Sequence, residues 1–462
     1  MQNFLETSRH EPDKVEAIQR LRNFDEIYQF FNNRQVQRQA KRCVQCGDPF
    51  CTSIGCPLQN HIPQWLEAIS ARDLERAFLL SNESSPFPEI LGRICPQGSL
   101  CEGACTLDDG YGAITIGAIE ASITDLAFNA GLKLPFPGIR HEQKVAVVGS
   151  GPAGMSCAHF LLRAGVRVEM YERAETPGGL LTYGIPGFKL DKQIVDRRFN
   201  ILCKAGLNLH LQHEIGVNVF LRELIERHAA TFIGIGATAG KTARIPGEEH
   251  PSVWAAMDYL TQIQKQLFGK QVDPKFNLHG KQVVVIGGGD TAMDCLRTAI
   301  RNGASKVSCL YRRDAANIPG SRKEYYNAVE EGVEFCFNES PQRIIIDGQD
   351  AVSGVEMLRT TMGEPGTDGR QKVSEEKGSE HQIAADVVIM ALGFDVAPLP
   401  GLEVVQVETD DWGQLKIDPQ TGQTSNQKIY AGGDCYRGAD LGVTAAADGR
   451  RAALAIMRQL LR

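Results

Sequence analysis

The stretch 144–154, KVAVVGSGPAG, decides the fold. A β-branched run ends in glycines; a helical pattern, MSCAHFLLRAG, follows, and then a second apolar run, VRVEMYE. Strand, glycine turn, helix and strand in that order make a βαβ unit. Gly149, Gly151 and Gly154, with Pro152 and Ala153 between them, fit G-x-G-x-x-G in the context the motif requires. Such glycines allow a tight turn and close backbone approach, so that a pyrophosphate can sit at the helix N-terminus. Glu172, followed by Arg173, ends the next strand eighteen residues after Gly154. A carboxylate there can accept two hydrogen bonds from ribose hydroxyls. A tight turn with no ligand is the competing reading, and the acid at this distance argues against it.

A second unit of the same type begins at KQVVVIGGGDTAMDC. Gly287 and Gly289, then Asp290, Thr291 and Ala292, fit G-x-G-x-x-A. Its following strand ends in Arg312 and Arg313 instead of an acid. Arginines suit a 2′-phosphate, which predicts NADPH over NADH. A solvated basic pair is the plainer alternative. Ala391 and Gly393 are expected to return the chain beside the nicotinamide.

Outside these units, Gly178, Gly179 and Leu180 form another close-approach turn. Gly433 and Asp434 precede a helix whose start contains Thr444. An acid at such a turn can bind a ribityl chain. Together these segments resemble the FAD domain of two-dinucleotide-binding flavoproteins, and the resemblance implies that Glu172, Gly179, Leu180, Lys189 and Asp434 line the FAD site. FAD-type pieces come before and after the NADPH-type unit, so one domain is inserted in the other.

The 462 residues allow about three domains. Hydrophobic and charged contents of 42% and 23% are those of a soluble globular protein. A net charge of -7 gives no support to nucleic-acid or anionic-membrane binding. No apolar run approaches the roughly 20 residues of a membrane span, and the polar N-terminus lacks a signal-peptide core. The expectation is a cytoplasmic protein, where disulfides are rare.

Seven of the thirteen cysteines lie between Cys43 and Cys105. CVQCGDPFCTSIGCP (43–57) and CPQGSLCEGAC (95–105) admit zinc, disulfide or iron–sulfur readings. NADPH gives two electrons at once, flavin can release them singly, and iron–sulfur clusters carry one; zinc carries none. Clusters therefore suit a neighbouring flavin domain. Two cubanes want eight ligands, and seven cysteines leave one place. Glu120 and His61 are the candidates for it; one four-cysteine site with three spare thiols is the other count.

CVQCGDPFC, CPLQNHIPQWL, GRICPQGSLCEGAC, TIGAIE, GSGPAG, GGLLTYGIPGFKL, GGGDTAMDC, YRRDAANIPGSRKE, ALGF and TSNQKIYAGGD occur in this order. Across essentially the whole chain this resembles the small (β) subunit of bacterial NADPH-dependent glutamate synthase. The N-terminal and flavin parts are also similar to dihydropyrimidine dehydrogenase. The resemblance implies one [4Fe-4S] cluster on Cys43, Cys46, Cys51 and Cys105, and a second on Cys56, Cys95, Cys101 and Glu120. Four residues, TSIG, separate Cys51 from Cys56 where three are common in the family.

The expected architecture is α/β. A helical iron–sulfur domain over 1–140 precedes an FAD domain over 141–280 and 394–462, and an NADPH domain over 281–393 is nested within the latter. The resemblance further implies electron input from NADPH to a large (α) subunit that makes glutamate, in a hetero-oligomer. The chain itself shows no amidotransferase nucleophile and no evident general acid or base. A stand-alone NADPH-dependent iron–sulfur flavoprotein that reduces ferredoxin or another acceptor is the alternative.

Overall fold

The computed structural model describes residues 3–366 and 371–461. The N-terminal unit is built on helices Asn33–Ala40, Ile62–Ser70, Leu74–Ser84, Pro88–Ile94 and Ile116–Asn129. Trp65, Phe78, Ile119 and Ile123 fill its core. The amphipathic pattern of residues 1–42 reads as helix, but the structure breaks it. Asp13–Lys14 pairs antiparallel with Tyr28–Gln29, and only short helices flank that pair until Asn33. The Asn32 side chain starts the next helix, accepting from Arg34 N and Gln35 N at 3.0 and 3.1 Å, while Gln35 accepts from Asn32 N. Trp65, Leu66, Ile69, Leu74, Phe78 and Leu79, at spacings of about 3–4, read as one helix over 59–85; the structure makes two, because Arg72 turns left-handed (φ 70°) and Asp73 caps a new start. Leu79 is exposed.

The second unit carries a parallel sheet in the order Ile429–Ala431, Ala230–Ile233, Lys144–Val148, Arg167–Glu172, Leu207–Leu211. Helices Pro152–Arg163 and Gly442–Leu460 cross in near contact. A Cβ on Gly449 would lie 2.1 Å from the Ala153 carbonyl oxygen. Both helix N-termini thus reach the same end of the sheet, the end at which ligands bind in open α/β sheets.

The third unit is also a parallel sheet, in the order Glu334–Phe337, Lys306–Tyr311, Gln282–Ile286, Val387–Met390, Val253–Ala255. Its edge strand corrects the boundary expected at 281. Val253–Ala255 is hydrogen-bonded to Val387–Met390, and Trp254, Tyr259, Leu260 and Ile263 belong to this unit's core. A three-residue strand with no glycine turn after it leaves little periodic signal. The chain enters the unit through Ala239–Gly240 and leaves through Phe394–Asp395, which pair antiparallel side by side. An antiparallel sheet of Glu339–Ile346, Val352–Pro365, Gln371–Glu375 and His381–Ala384 flanks it. The polar stretch GEPGTDGRQKVSEEKGSEH (363–381) reads as a solvated hairpin tip; it falls on this sheet's hairpin, and 367–370 lie outside the described residues. Among the described residues no helix is long and apolar enough to cross a membrane.

Candidate functional site

The first glycine turn divides its labour. Gly149 is left-handed (φ 93°), and a Cβ there would lie 2.5 Å from the Gly234 oxygen. Gly154 faces inward: its Cβ would sit 1.9 Å from the Gly149 oxygen, so this glycine packs helix against strand. Gly151 has no neighbour within 4 Å of a built Cβ. With Pro152 and Ala153 it lines a cavity of about 1610 Å³. The protein's own packing does not demand a glycine there; backbone approach by a ligand does.

Around the same cavity stand Glu172, Arg173, Gly179, Leu180, Lys189, Gly433 and Asp434. The buried Glu172 carboxylate accepts from Ser150 N (3.0 Å) and Ala174 N (2.8 Å), which holds it at the strand end. Gly433 N donates to Asp448 Oδ2 (3.0 Å), a fully buried carboxylate that also receives Arg437 and Arg451. Burial pushes Asp434 up to about 7, against a backbone hydrogen bond from Asp440, while the Asp448 charge adds to the rise. Near neutral pH this group can donate or accept a hydrogen bond. Open glycines, two helix N-termini and a ribose-directed acid fit FAD.

Two expected contacts differ. Thr444 does not face the cavity: its Oγ1 donates to Leu441 O (2.7 Å), and its neighbours Val443 and Ala445 form the wall. A hydroxyl bonding back along its own helix turns the side chain away from a ligand. Lys189 reaches the cavity but is already engaged, donating to Asp294 Oδ1 (2.9 Å) with Glu324 at 3.9 Å. Burial opposes its charge, and these carboxylates hold its proton above the usual lysine range.

At the second turn, Gly287 (φ 137°) backs onto Ala391, whose oxygen lies 2.2 Å from a built Cβ. Ala391 therefore closes the turn from behind. Gly289 is open, with nothing within 4 Å. Asp290 and Thr291 begin helix Asp290–Arg301 and line the same large cavity as Gly151. Asp290 Oδ1 accepts from Ser321 N (3.0 Å). Ala292 is buried against the sheet, and Gly393 (φ 95°) makes the exit turn. Arg312 is exposed, and Arg313 is half-buried with Nε unpartnered among the described residues. Their backbone oxygens are held by Thr360 Oγ1 and Asn338 N. Two guanidinium groups at the strand tip fit a 2′-phosphate. Gly288 is a residue sequence reasoning passed over: a Cβ would strike the Tyr311 ring at 2.6 Å.

The cysteines separate into two groups. Cys43, Cys46, Cys51 and Cys105 line one small apolar cavity with Phe50, Leu66, Ile114 and Ile116. Burial pushes Cys51 up to about 12 and Cys43 to about 11, and neighbouring thiolates, Cys105 foremost, add to both. Cys56, Cys95 and Cys101 lie outside that cavity: burial raises each thiol, and Glu120 is among the charges raising it further. Burial pushes Glu120 itself up to about 8, against the Asn60 Nδ2 that donates to its Oε1 (2.8 Å). Buried thiols and a buried carboxyl of this kind would gain their charged forms if a cationic centre were bound. The TSIG spacer is absorbed by helix Phe50–Ser53 and Gly55, where a Cβ would lie 2.7 Å from Cys101 Cα. His61 stands apart, 3.5 Å from Glu83. All thirteen cysteines are free thiols.

The loop Cys95–Ser99 also lines the large cavity, together with Arg9, Glu11, Lys14 and Tyr28 from the N-terminal segment. No periodicity marks those four. Cys95, the flavin-type turn and the nucleotide-type turn therefore line one cavity, an arrangement that suits an iron–sulfur flavoprotein oxidoreductase.

Comparison with known proteins agrees. Residues 20–132 match dihydropyrimidine dehydrogenase domain II, 4Fe-4S cluster, and residues 143–449 match pyridine nucleotide-disulphide oxidoreductase. The glutamate synthase [NADPH] small chain of Escherichia coli (strain K12) is 45% identical over 465 residues, covering 99% of this chain and 98% of that one. The putative oxidoreductase AegA of the same organism is 46% identical over 97% of this chain and 69% of its own length. Mycobacterium tuberculosis FprA in complex with NADPH shares the fold, with a TM-score of 0.57 at 22% identity over 69% of this chain and 85% of that one. The chain belongs to the pyridine nucleotide-disulphide oxidoreductases, in the family that glutamate synthase [NADPH] small chains share with AegA. Its cofactors are those of that family: FAD, NADPH and [4Fe-4S].

Proposed function

We propose that the chain is the electron-input subunit of a cytoplasmic glutamate synthase. It oxidises NADPH and delivers the electrons to a separate large subunit that makes L-glutamate from L-glutamine and 2-oxoglutarate. The observation that carries this reading is the shared wall: Cys95, Gly151 and Thr291 all face one cavity.

In this reading Gly151, Glu172, Gly179, Leu180, Gly433 and Asp434 hold FAD, while Gly289, Thr291, Arg312 and Arg313 hold NADPH. Cys56, Cys95, Cys101 and Glu120 hold the cluster beside the flavin cavity. Cys43, Cys46, Cys51 and Cys105 hold the outer one. Bound there, FAD accepts a hydride's two electrons and the clusters pass them on singly. The chain's own task is positioning and exclusion of water, and it needs no acid or base. Glu172 and Asp434 orient sugar hydroxyls, and the open glycines admit the pyrophosphates.

Similarity to AegA favours a second reading, a stand-alone NADPH-dependent oxidoreductase. Co-purification with a glutamate synthase large subunit separates the two. A stable complex supports the first reading, and a chain that stays alone supports the second.

A further inference from the structure

Residues 13–29 of the N-terminal unit touch both cofactor units at once. On the nucleotide unit they hold helix Arg322–Glu330 and its end. Lys14 Nζ donates to Asn327 Oδ1 (3.2 Å) and Glu330 Oε1 (2.7 Å), and Asn327 Nδ2 donates to Tyr28 Oη (3.0 Å). Lys323 Nζ sits 3.8 Å from the Tyr28 ring centre. Arg20, buried, pairs with Glu330 (2.7 Å) and Glu331 (2.9 Å). Glu331 is also bound by Arg297 (2.8 Å) and Arg301 (2.6 Å), all three side chains being fully buried.

On the flavin unit the same segment meets the Ile185–Leu190 turn. Ile27 N donates to Phe188 O (3.2 Å), and a Cβ on Gly187 would lie 2.6 Å from Phe24 O. The Phe188 ring in turn lies beneath Arg297 (4.3 Å) and Arg301 (4.2 Å). The two cofactor units are joined covalently only through the short paired strands at Ala239–Gly240 and Phe394–Asp395. Two such strands leave relative rotation free unless something else restrains it. Residues 13–29 add to the direct contacts between the two units, the Lys189–Asp294 pair (2.9 Å) and Phe188 beneath Arg297, and in this arrangement Thr291 and Gly151 open on one cavity.

We infer that residues 13–29 are a strap that fixes the nucleotide unit in the orientation needed for hydride transfer, with Arg20 as its main positioning residue. The N-terminal unit then does more than house clusters. It sets the alignment of the step that precedes them, and misalignment slows that step more than it weakens nucleotide binding.

The inference rests on the FAD and NADPH sites proposed above, and not on the large subunit. The test uses the purified cofactor-loaded chain with Arg20→Ala. Three quantities are read: the rate of flavin bleaching after rapid mixing with NADPH, NADP+ affinity, and hydrogen exchange of helix Arg322–Glu330. Expected are bleaching slowed about tenfold or more, unchanged NADP+ affinity and flavin content, and faster exchange in the helix. Arg20→Lys should recover part of the rate. If Arg20→Ala does not fold, Lys14→Ala with Tyr28→Phe removes the outer contacts and should slow bleaching about threefold. Wild-type bleaching in a flavin-replete variant overturns the strap. A wild-type chain without flavin overturns the site reading instead.

Discussion

Gln97 occupies the space a side chain at Gly117 would need: a Cβ there would lie 2.3 Å from Gln97 Nε2. That amide donates to Gly92 O (2.9 Å), and Gly117 N donates to Glu102 Oε1 (3.1 Å). The loop carrying Cys95 and Cys101 is thereby clasped onto the start of the helix that carries Glu120. A missing side chain in one motif seats a loop from another, and Cys95 and Cys101 are held beside the helix of Glu120.

Gly117→Ala should therefore disturb the inner cluster and spare the outer one. The expected result is loss of about half the iron and acid-labile sulfide, given two cubanes, with flavin retained. Iron, sulfide and flavin analysis of the purified variant checks it.

Glu120→Ala tests the eighth ligand directly. One cluster should be lost or spectroscopically altered while the other keeps its electron paramagnetic resonance signal. Unchanged spectra from both clusters would remove Glu120 from the ligand set.

Arg312→Ala with Arg313→Ala should raise the KM for NADPH about tenfold or more, since hydrogen bonds to a charged group are worth about 1.5–3 kcal/mol. KM for NADH should change little, because it lacks the 2′-phosphate. Equal effects on both nucleotides would place the phosphate site elsewhere.

Acid should loosen the strap. Burial pushes Glu331 up, but hydrogen bonds from Arg297 and Arg301 pull it down to about 2. A depressed carboxyl stabilises the fold fully above its unfolded value of about 4.3, and that stabilisation fades as pH falls toward the folded value. The span corresponds to something on the order of 3 kcal/mol. Urea midpoints of the wild type and Glu331→Gln should differ by a constant amount from pH 7 to 5, and the gap should close between about pH 4.5 and 2. A gap independent of pH would contradict the pairing.

The nested cofactor units were legible because glycine turns, strand runs and Glu172 lie within a few tens of residues of one another. The grouping of cysteines was implied by family resemblance and not by spacing; the structure adds that Gly55 packs on Cys101 and Gly117 on Gln97. Thr444 misled because a helix start was clear while the direction of its hydroxyl was set by Leu441. Lys189 was legible as a cavity residue, but its partner Asp294 lies in another unit. The strap left no trace in the pattern: Lys14 and Asn327 are 313 residues apart. Contacts of that range arise from packing between units, which local periodicity does not encode.

The central claim is electron delivery to a glutamate-forming partner. Its most direct test is NADPH oxidation by this chain mixed with a glutamate synthase large subunit. Oxidation should require both glutamine and 2-oxoglutarate and yield glutamate in step with NADPH consumed. NADPH oxidation that proceeds with an artificial acceptor, yet is unaffected by the large subunit and both substrates, would contradict it.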